Sequence, residues 1–97
     1  MQVILHSITP HEQEDNAYIL EVQINNDRHV FQIDIDYNRI GTQDMRVIHG
    51  SRDFYRVLQL DNTLISPILK AVAHVYDGIK IDLPMTMQSS LPHHDNL

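Results

Sequence analysis

Residues 18–37, YILEVQINNDRHVFQIDIDY, decide the fold because apolar and polar side chains alternate on both sides of a short polar turn. A period of two places one side of each strand on a core. The apolar side is predicted to consist of Tyr18, Leu20, Val22, Ile24, Phe31, Ile33, Ile35 and Tyr37. The intervening NNDR supplies residues that favour turns. The stretch therefore predicts an antiparallel hairpin.

Acidic residues occupy the other side of this hairpin. Asp34 and Asp36 share one face, with side chains about 6.5 to 7 Å apart at the rise of a strand. We expect Glu21 on the same solvated face, across the ladder. A cation site would need further oxygen ligands, and the spacing of a calcium loop is absent. The pattern therefore predicts an acidic binding face made by Glu21, Asp34 and Asp36, suited to recognition and not to catalysis.

The sequence around the hairpin predicts two further strands and one ambiguous segment. Residues 2–8 favour extended structure through their β-branched side chains, and residues 45–49 favour a short strand after Gly41. Residues 51–60 fit either a short helix capped by Ser51 or a strand, and the helix is slightly favoured.

The second half of the chain predicts a long helix over about residues 66–77. Ser66 is a good capping residue, Pro67 fits the first helical position, and Gly78 ends the apolar stripe. Residues 79–83 alternate again and predict a closing strand that Pro84 ends.

These elements predict an α+β fold, with a mostly antiparallel sheet of four to five strands and the long helix packed on one face. A chain of 97 residues lies in the usual range for one domain. We expect a single domain over residues 1–85 and a flexible tail over 86–97, which lacks periodicity.

Charge and composition narrow the class of partner. The chain has 13 acidic and 7 basic residues, a net charge of −6. Residues 1–38 hold seven of the acids and only Arg28, so the excess of negative charge lies there. This excess opposes binding to nucleic acid or anionic lipid. The apolar run at the start is too short for a membrane span, so we expect a cytoplasmic protein without a membrane partner.

Motifs that carry chemistry are missing from the sequence. There is no cysteine, nucleophile elbow, phosphate-binding loop or dinucleotide fingerprint, so we predict neither enzymatic activity nor a cofactor. Seven histidines invite a metal hypothesis, but they are widely spaced. The one local cluster is His93, His94 and Asp95, and we predict no metal site.

Two functional hypotheses remain from the sequence. The first is a small non-enzymatic module that binds another protein, with a basic partner favoured by the acidic hairpin, and that acts as a regulator, inhibitor or immunity-type partner. An exposed strand edge would also allow a homodimer. The second is a small-ligand or anion-binding domain that uses Gly50, Ser51, Arg52 and Arg56, where backbone donors and guanidinium groups would converge.

Overall fold

The computed structural model describes residues 1–89, which form an antiparallel sheet of five strands with two helices. The predicted α+β class is confirmed. The strands lie in the order β4-β3-β2-β1-β5. The elements are β1 (Gln2–Pro10), β2 (Ala17–Ile24), β3 (Asp27–Ile40), β4 (Gln43–Gly50), α1 (Arg52–Val57), α2 (Asn62–Tyr76) and β5 (Met85–Gln88).

The hairpin of β2 and β3 forms in the register that the alternation predicts. Leu20 lies opposite Phe31 and Tyr18 opposite Ile33, so the apolar side chains of both strands share one face. A two-residue turn joins the strands, and Asn25 adopts a left-handed φ of 54° there. Asparagine tolerates this conformation better than most residues, which is why the turn falls at NN.

The pairing of β1 with β2 shifts by one residue along the strand. This shift explains why the apolar residues of β1 do not follow a single period of two. Val3 and Leu5 are fully buried and lie opposite Ile24 and Val22 of β2. The register then shifts between Leu5 and Ser7, and Ile8 lies opposite the buried Leu20. The extra residue returns Ile8 to the core side, as a β-bulge does.

Both helices cover the same face of the sheet. The buried apolar residues form one cluster: Val3, Leu5, Leu20, Val22, Ile24, Phe31, Ile33, Ile35, Phe54, Leu58, Leu64, Ile65, Ile68, Ala71 and Val72. We call the opposite side of the sheet the outer face, and it carries the side chains that alternate with the cluster on each strand. The sheet is therefore covered on one side and open on the other.

Helix α2 begins at Asn62, about four residues before the predicted start. Its cap is Asp61, whose carboxylate accepts hydrogen bonds from the backbone N–H of Thr63 at 3.0 Å and from the Thr63 hydroxyl at 2.6 Å. Asp61 is 5% exposed. Ser66 and Pro67 resemble a helix start, but they lie inside the helix because Leu64 and Ile65 already pack on the sheet.

The prediction of a strand over 79–83 is wrong. The chain leaves α2 through Gly78 at a φ of 76° and reaches Pro84 without joining the sheet. Ile81 and Leu83 still pack against the core cluster, so their alternation reports packing and not strand pairing. Strand β5 begins directly after Pro84, and its Met87 lies opposite Val3 of β1.

The predicted flexible tail therefore begins too early. Residues 86–88 belong to β5, and the backbone N–H of Ser89 donates to the carbonyl of Met1 at 3.1 Å. The remaining residues of the predicted tail, 90–97, lie outside the described part of the chain. The fold thus extends at least three residues beyond the predicted boundary at 85.

Candidate protein-binding surface

Strands β3 and β4 continue as a two-stranded ribbon beyond the part of the sheet that the helices cover. Every residue from 36 to 46 is exposed, although the two strands remain paired as far as Ile40 and Gln43. Gly41 and Thr42 form the tip, with Gly41 at a φ of 64°. We call residues 36–46 the arm.

The arm displays large apolar side chains to solvent. Ile40 is 60% exposed, Met45 is 53% exposed and Tyr37 is 52% exposed. Pairing places Ile40 and Met45 on the outer face, together with Val47. Tyr37 lies on the helix side, opposite Arg46. The sequence identified Tyr37 as a core residue, because alternation shows which side a residue faces and not whether anything covers that side.

Two polar contacts attach the helix side of the arm to the end of α2. The Tyr37 hydroxyl donates to the Tyr76 hydroxyl at 3.2 Å. Arg46 pairs with Asp77 at 2.7 Å and lies 5.8 Å from the centre of the Tyr76 ring. The hydrogen bond to Asp77 raises the pKa of Arg46, and the hydrogen bond between the Tyr37 and Tyr76 hydroxyls raises the pKa of Tyr76. The arm is therefore held at its base.

The predicted acidic residues lie on the outer face, but each is engaged by a different neighbour. Asp34 accepts a hydrogen bond at 2.9 Å from the Gln32 amide, which also donates to Glu14 at 2.8 Å. Asp36 contacts the imidazole Nε2 of His49 at 2.5 Å. The two aspartates thus share neither a proton nor a common partner, and their arrangement does not provide a catalytic carboxylate pair.

Glu21 lies on the same face at a distance from the two aspartates. It is directly opposite Val30, which is four residues from Asp34 along β3, or roughly 13 Å at the rise of a strand. Glu21 pairs with Arg28 at 3.3 Å, and both side chains are more than half exposed. An exposed pair of this kind contributes about 0 to 1 kcal/mol, so Glu21 remains accessible to another partner.

The residues of the predicted anion site are divided between structural roles and an open surface. The backbone N–H of Gly50 donates to the Tyr55 hydroxyl at 3.1 Å. The Ser51 hydroxyl caps α1 by accepting from the backbone N–H of Phe54 at 3.3 Å. Residues 51–60 therefore contain a helix, as the sequence favours. Arg52 and Arg56 do lie together, beside a shallow pocket on the solvent side of α1.

Gly50 has a packing role that its neighbours explain. A Cβ at this position would lie 2.7 Å from the Phe54 ring and 2.9 Å from the end of Ile33. The end of β4 can therefore approach the buried Phe54 only because position 50 has no side chain.

Neither a cluster of metal ligands nor a membrane-spanning helix is found in the part of the chain that the structure describes. Residues 1–89 bring together no group of three or more histidine and carboxylate side chains that could hold a metal ion. His93, His94 and Asp95 lie outside those residues. None of the described helices has the length and apolar character needed to cross a bilayer.

Comparison with known proteins gives no functional assignment. No protein-family model matches the chain, and no curated protein matches it.

Proposed function

We propose that this protein is a non-enzymatic protein-binding module that contacts its partner through the outer face of the arm. The observation that carries the proposal is the exposure of Ile40 and Met45 on a paired ribbon that no helix covers. The contact surface includes six outer-face residues of the arm and its base: Asp34, Asp36, Ile40, Met45, Val47 and His49.

The apolar residues supply the affinity in this proposal. Full burial of an aliphatic side chain is worth about 1.5 to 3 kcal/mol, and Ile40 and Met45 are each more than half exposed. Neither side chain packs against the core cluster of the free protein. Apolar anchors surrounded by polar groups are the usual arrangement at protein interfaces. Burial of these two side chains in a groove of the partner would therefore contribute favourably to the free energy of binding.

The charge of the outer face favours a partner with basic groups. Four acidic residues lie on or beside this face, and Arg28 pairs with one of them, Glu21; the four are Glu14, Glu21, Asp34 and Asp36. Complementary charge mainly accelerates association and selects the correct partner. Binding is therefore expected to weaken as the salt concentration rises, because exposed charges are screened.

The open edge of β4 supports a second copy of the chain as a competing partner. Within residues 1–89 no strand pairs with β4 on the side away from β3. If two copies of β4 paired antiparallel about Met45, Asp44 of each copy would lie opposite Arg46 of the second copy. An unpaired edge of eight residues is long enough to accept such a strand.

The proposal is tested by capturing partners from the native cell extract with the purified protein and two matched variants. Ile40→Ser with Met45→Ser removes the apolar anchors of the arm. Val30→Ser is the control, because Val30 is 67% exposed on the outer face of β3 but lies outside the arm. The double variant is expected to lose a specific partner that the wild type and the control both retain.

Two further measurements separate the partner classes. Asp34→Asn with Asp36→Asn is expected to reduce capture at low salt and to have little effect at high salt. Sedimentation velocity of the isolated protein shows whether the partner is a second copy. Equal capture by the wild type and the Ile40→Ser, Met45→Ser variant would refute the role of the arm.

A further inference from the structure

A shallow pocket lies on the solvent side of α1 and the turn that follows it. Five residues line a volume of about 520 Å³: Arg52, Tyr55, Arg56, Gln59 and Leu60. Arg52, Tyr55 and Arg56 lie on one side of α1 at spacings of three and four residues, and Gln59 and Leu60 belong to the turn after the helix. We call this feature the arginine pocket, and no residue of the arm contributes to it.

The backbone after α1 presents Leu60 to the pocket. Gln59 and Leu60 both adopt left-handed conformations, with φ of 57° and 55°. Hydrogen bonds from Gln59 N–H to the Arg56 carbonyl and from Leu60 N–H to the Tyr55 carbonyl, both 3.0 Å, hold this turn. The residue before this turn, Leu58, and the residue after it, Asp61, are buried, whereas Leu60 is 74% exposed. The turn thus places one large apolar side chain in solvent.

The left-handed turn is unfavourable for the residues that adopt it. Residues other than glycine and asparagine lose roughly 1 to 2 kcal/mol in this region of backbone space. Strained backbone often occurs where a binding surface requires it. Here the strain allows an exposed leucine to stand beside the Tyr55 side chain and two guanidinium groups.

The charges of the pocket select an anion. Arg52 makes no hydrogen bond or ion pair within residues 1–89, and Arg56 pairs with the exposed Asp53. Both arginines lie next to apolar surface from Leu60 and Tyr55. A bare phosphate would satisfy the guanidinium groups but leave that apolar surface uncovered. An uncharged apolar molecule would cover the surface but leave Arg52 without a partner.

We propose that the arginine pocket binds a small amphipathic anion, an aromatic or short aliphatic body that carries one carboxylate or sulfonate. The anionic group would contact Arg52 and Arg56, where charge-assisted hydrogen bonds form readily. The apolar body would lie on Leu60 and the Tyr55 ring. The volume of the pocket falls within the usual range of small-ligand sites, about 300 to 1,000 Å³. This site is separate from the arm, so it does not depend on the proposed protein-binding function.

The proposal is tested with two fluorescent probes that share an apolar body and differ in charge. Anilinonaphthalene sulfonate carries the anionic group, and N-phenyl-naphthylamine lacks it. The sulfonate probe is expected to bind saturably, and naphthoate is expected to displace it. Loss of the charge-assisted contacts in Arg52→Gln with Arg56→Gln should weaken binding about tenfold or more.

Three variants complete the test. Leu60→Ser is expected to weaken both probes, because it removes the apolar wall. Arg39→Gln is the matched control, since Arg39 is an exposed arginine on the arm, and it should leave the affinity unchanged. Arg52→Gln alone repeats the charge test with the Arg56–Asp53 pair intact.

Either of two results would overturn the proposal. The first is equal affinity for the charged and uncharged probes. The second is an equal loss of affinity in Arg39→Gln and in the pocket variants, which would show general attraction to surface cations. Urea unfolding of each variant confirms that the fold is retained, as expected for side chains that are exposed.

Discussion

The side chains of β3 that point towards the helices are buried in the first half of the strand and exposed in the second half. In the first half Phe31, Ile33 and Ile35 are at most 4% exposed beneath the helices. In the second half Tyr37, on the same side of the strand, is 52% exposed because the strand has continued past the helix layer. Ile40 is 60% exposed on the outer face, which no helix covers. The comparison shows that a period of two fixes the side of a sheet on which a residue lies, whereas the length of the covering helices determines whether it is buried.

The largest expected difference between the two halves is in the stability lost when Ile33 or Ile40 is replaced by alanine. Ile33→Ala is expected to lower the free energy of unfolding by about 2 to 5 kcal/mol, because it opens a cavity in the core. Ile40→Ala should change it by no more than about 0.5 kcal/mol. Urea unfolding measures both. Similar losses for the two variants would mean that the arm is covered in the free protein.

The next effect compares two glycines, Gly50 at the end of β4 and Gly41 in the turn that precedes this strand. Gly50→Ala is expected to destabilise by about 1 to 3 kcal/mol, because the new Cβ would overlap the Phe54 ring. Gly41→Ala has open space around it, and the expected cost is about 1 kcal/mol, from the left-handed conformation alone.

The two glycines can be distinguished by rescue. Phe54→Leu should recover part of the stability lost in Gly50→Ala, since the ring supplies the overlapping atoms. In the Gly41→Ala background the same substitution should only add the cost of shortening a buried side chain, because Phe54 is 0% exposed. Recovery in both backgrounds, measured by thermal unfolding, would contradict the packing argument.

We expect the free energy of unfolding to fall in acid, in part because Asp61 becomes protonated. Hydrogen bonds, first from Ser89 at 2.5 Å and then from Thr63, lower the pKa of Asp61. A carboxylate with a lowered folded-state pKa stabilises the fold above its unfolded pKa, about 3.9, and loses that effect as pH falls through the folded value. Asp61→Asn should therefore flatten the loss of stability in acid below about pH 4.

Ser89→Ala provides the graded control for this effect. It removes the largest cause of the lowered pKa, so its acid dependence should lie between those of the wild type and Asp61→Asn. Chemical unfolding at several pH values gives the three slopes. A wild-type slope in both variants would show that Asp61 does not couple folding to protons.

The smallest effect is expected where the arm meets α2. Arg46 and Asp77 are both partly exposed, so their ion pair should contribute about 0.2 to 1 kcal/mol. A double-mutant cycle of Arg46→Ala and Asp77→Ala isolates the coupling energy. A value well above 1 kcal/mol would mean that the arm is fixed much more firmly than its exposure indicates.

Local patterns predict the parts of this fold in which a single strong signal is present. The hairpin forms as expected because alternation on both strands and the NN turn agree. The start of α2 was less predictable, since Asp61 and Ser66 are both good caps and only packing of Leu64 and Ile65 decides between them. The 79–83 segment was misassigned because alternation also occurs in an extended connection that lies on a core.

The candidate surfaces required tertiary information. Side chains that alternate on a strand give no indication of where the helices end, so the exposure of Tyr37 could not be derived from the sequence. Ile40 and Met45 are exposed for a different reason, because the strand pairing places them on the outer face, which no helix covers. The charge count did indicate an acidic hairpin, but not that Gln32 and His49 would engage Asp34 and Asp36. Similarly, Arg52 and Arg56 were identified, whereas Leu60 was not, because its exposure arises from two unusual backbone conformations.

The register shift in β1 has a consequence for the way the sheet can grow. Strand β5 pairs with residues 2–5 and stops where the shift begins, so the outer border of residues 7–10 has no neighbour among the described residues. A locally twisted backbone that ends in a proline is a poor template for an incoming strand. The border at β4 is continuous over its pairing with β3. Among residues 1–89 the other edge strand, β5, has only four residues, so the eight residues of β4 offer the longest border to a chain that extends this sheet by backbone pairing.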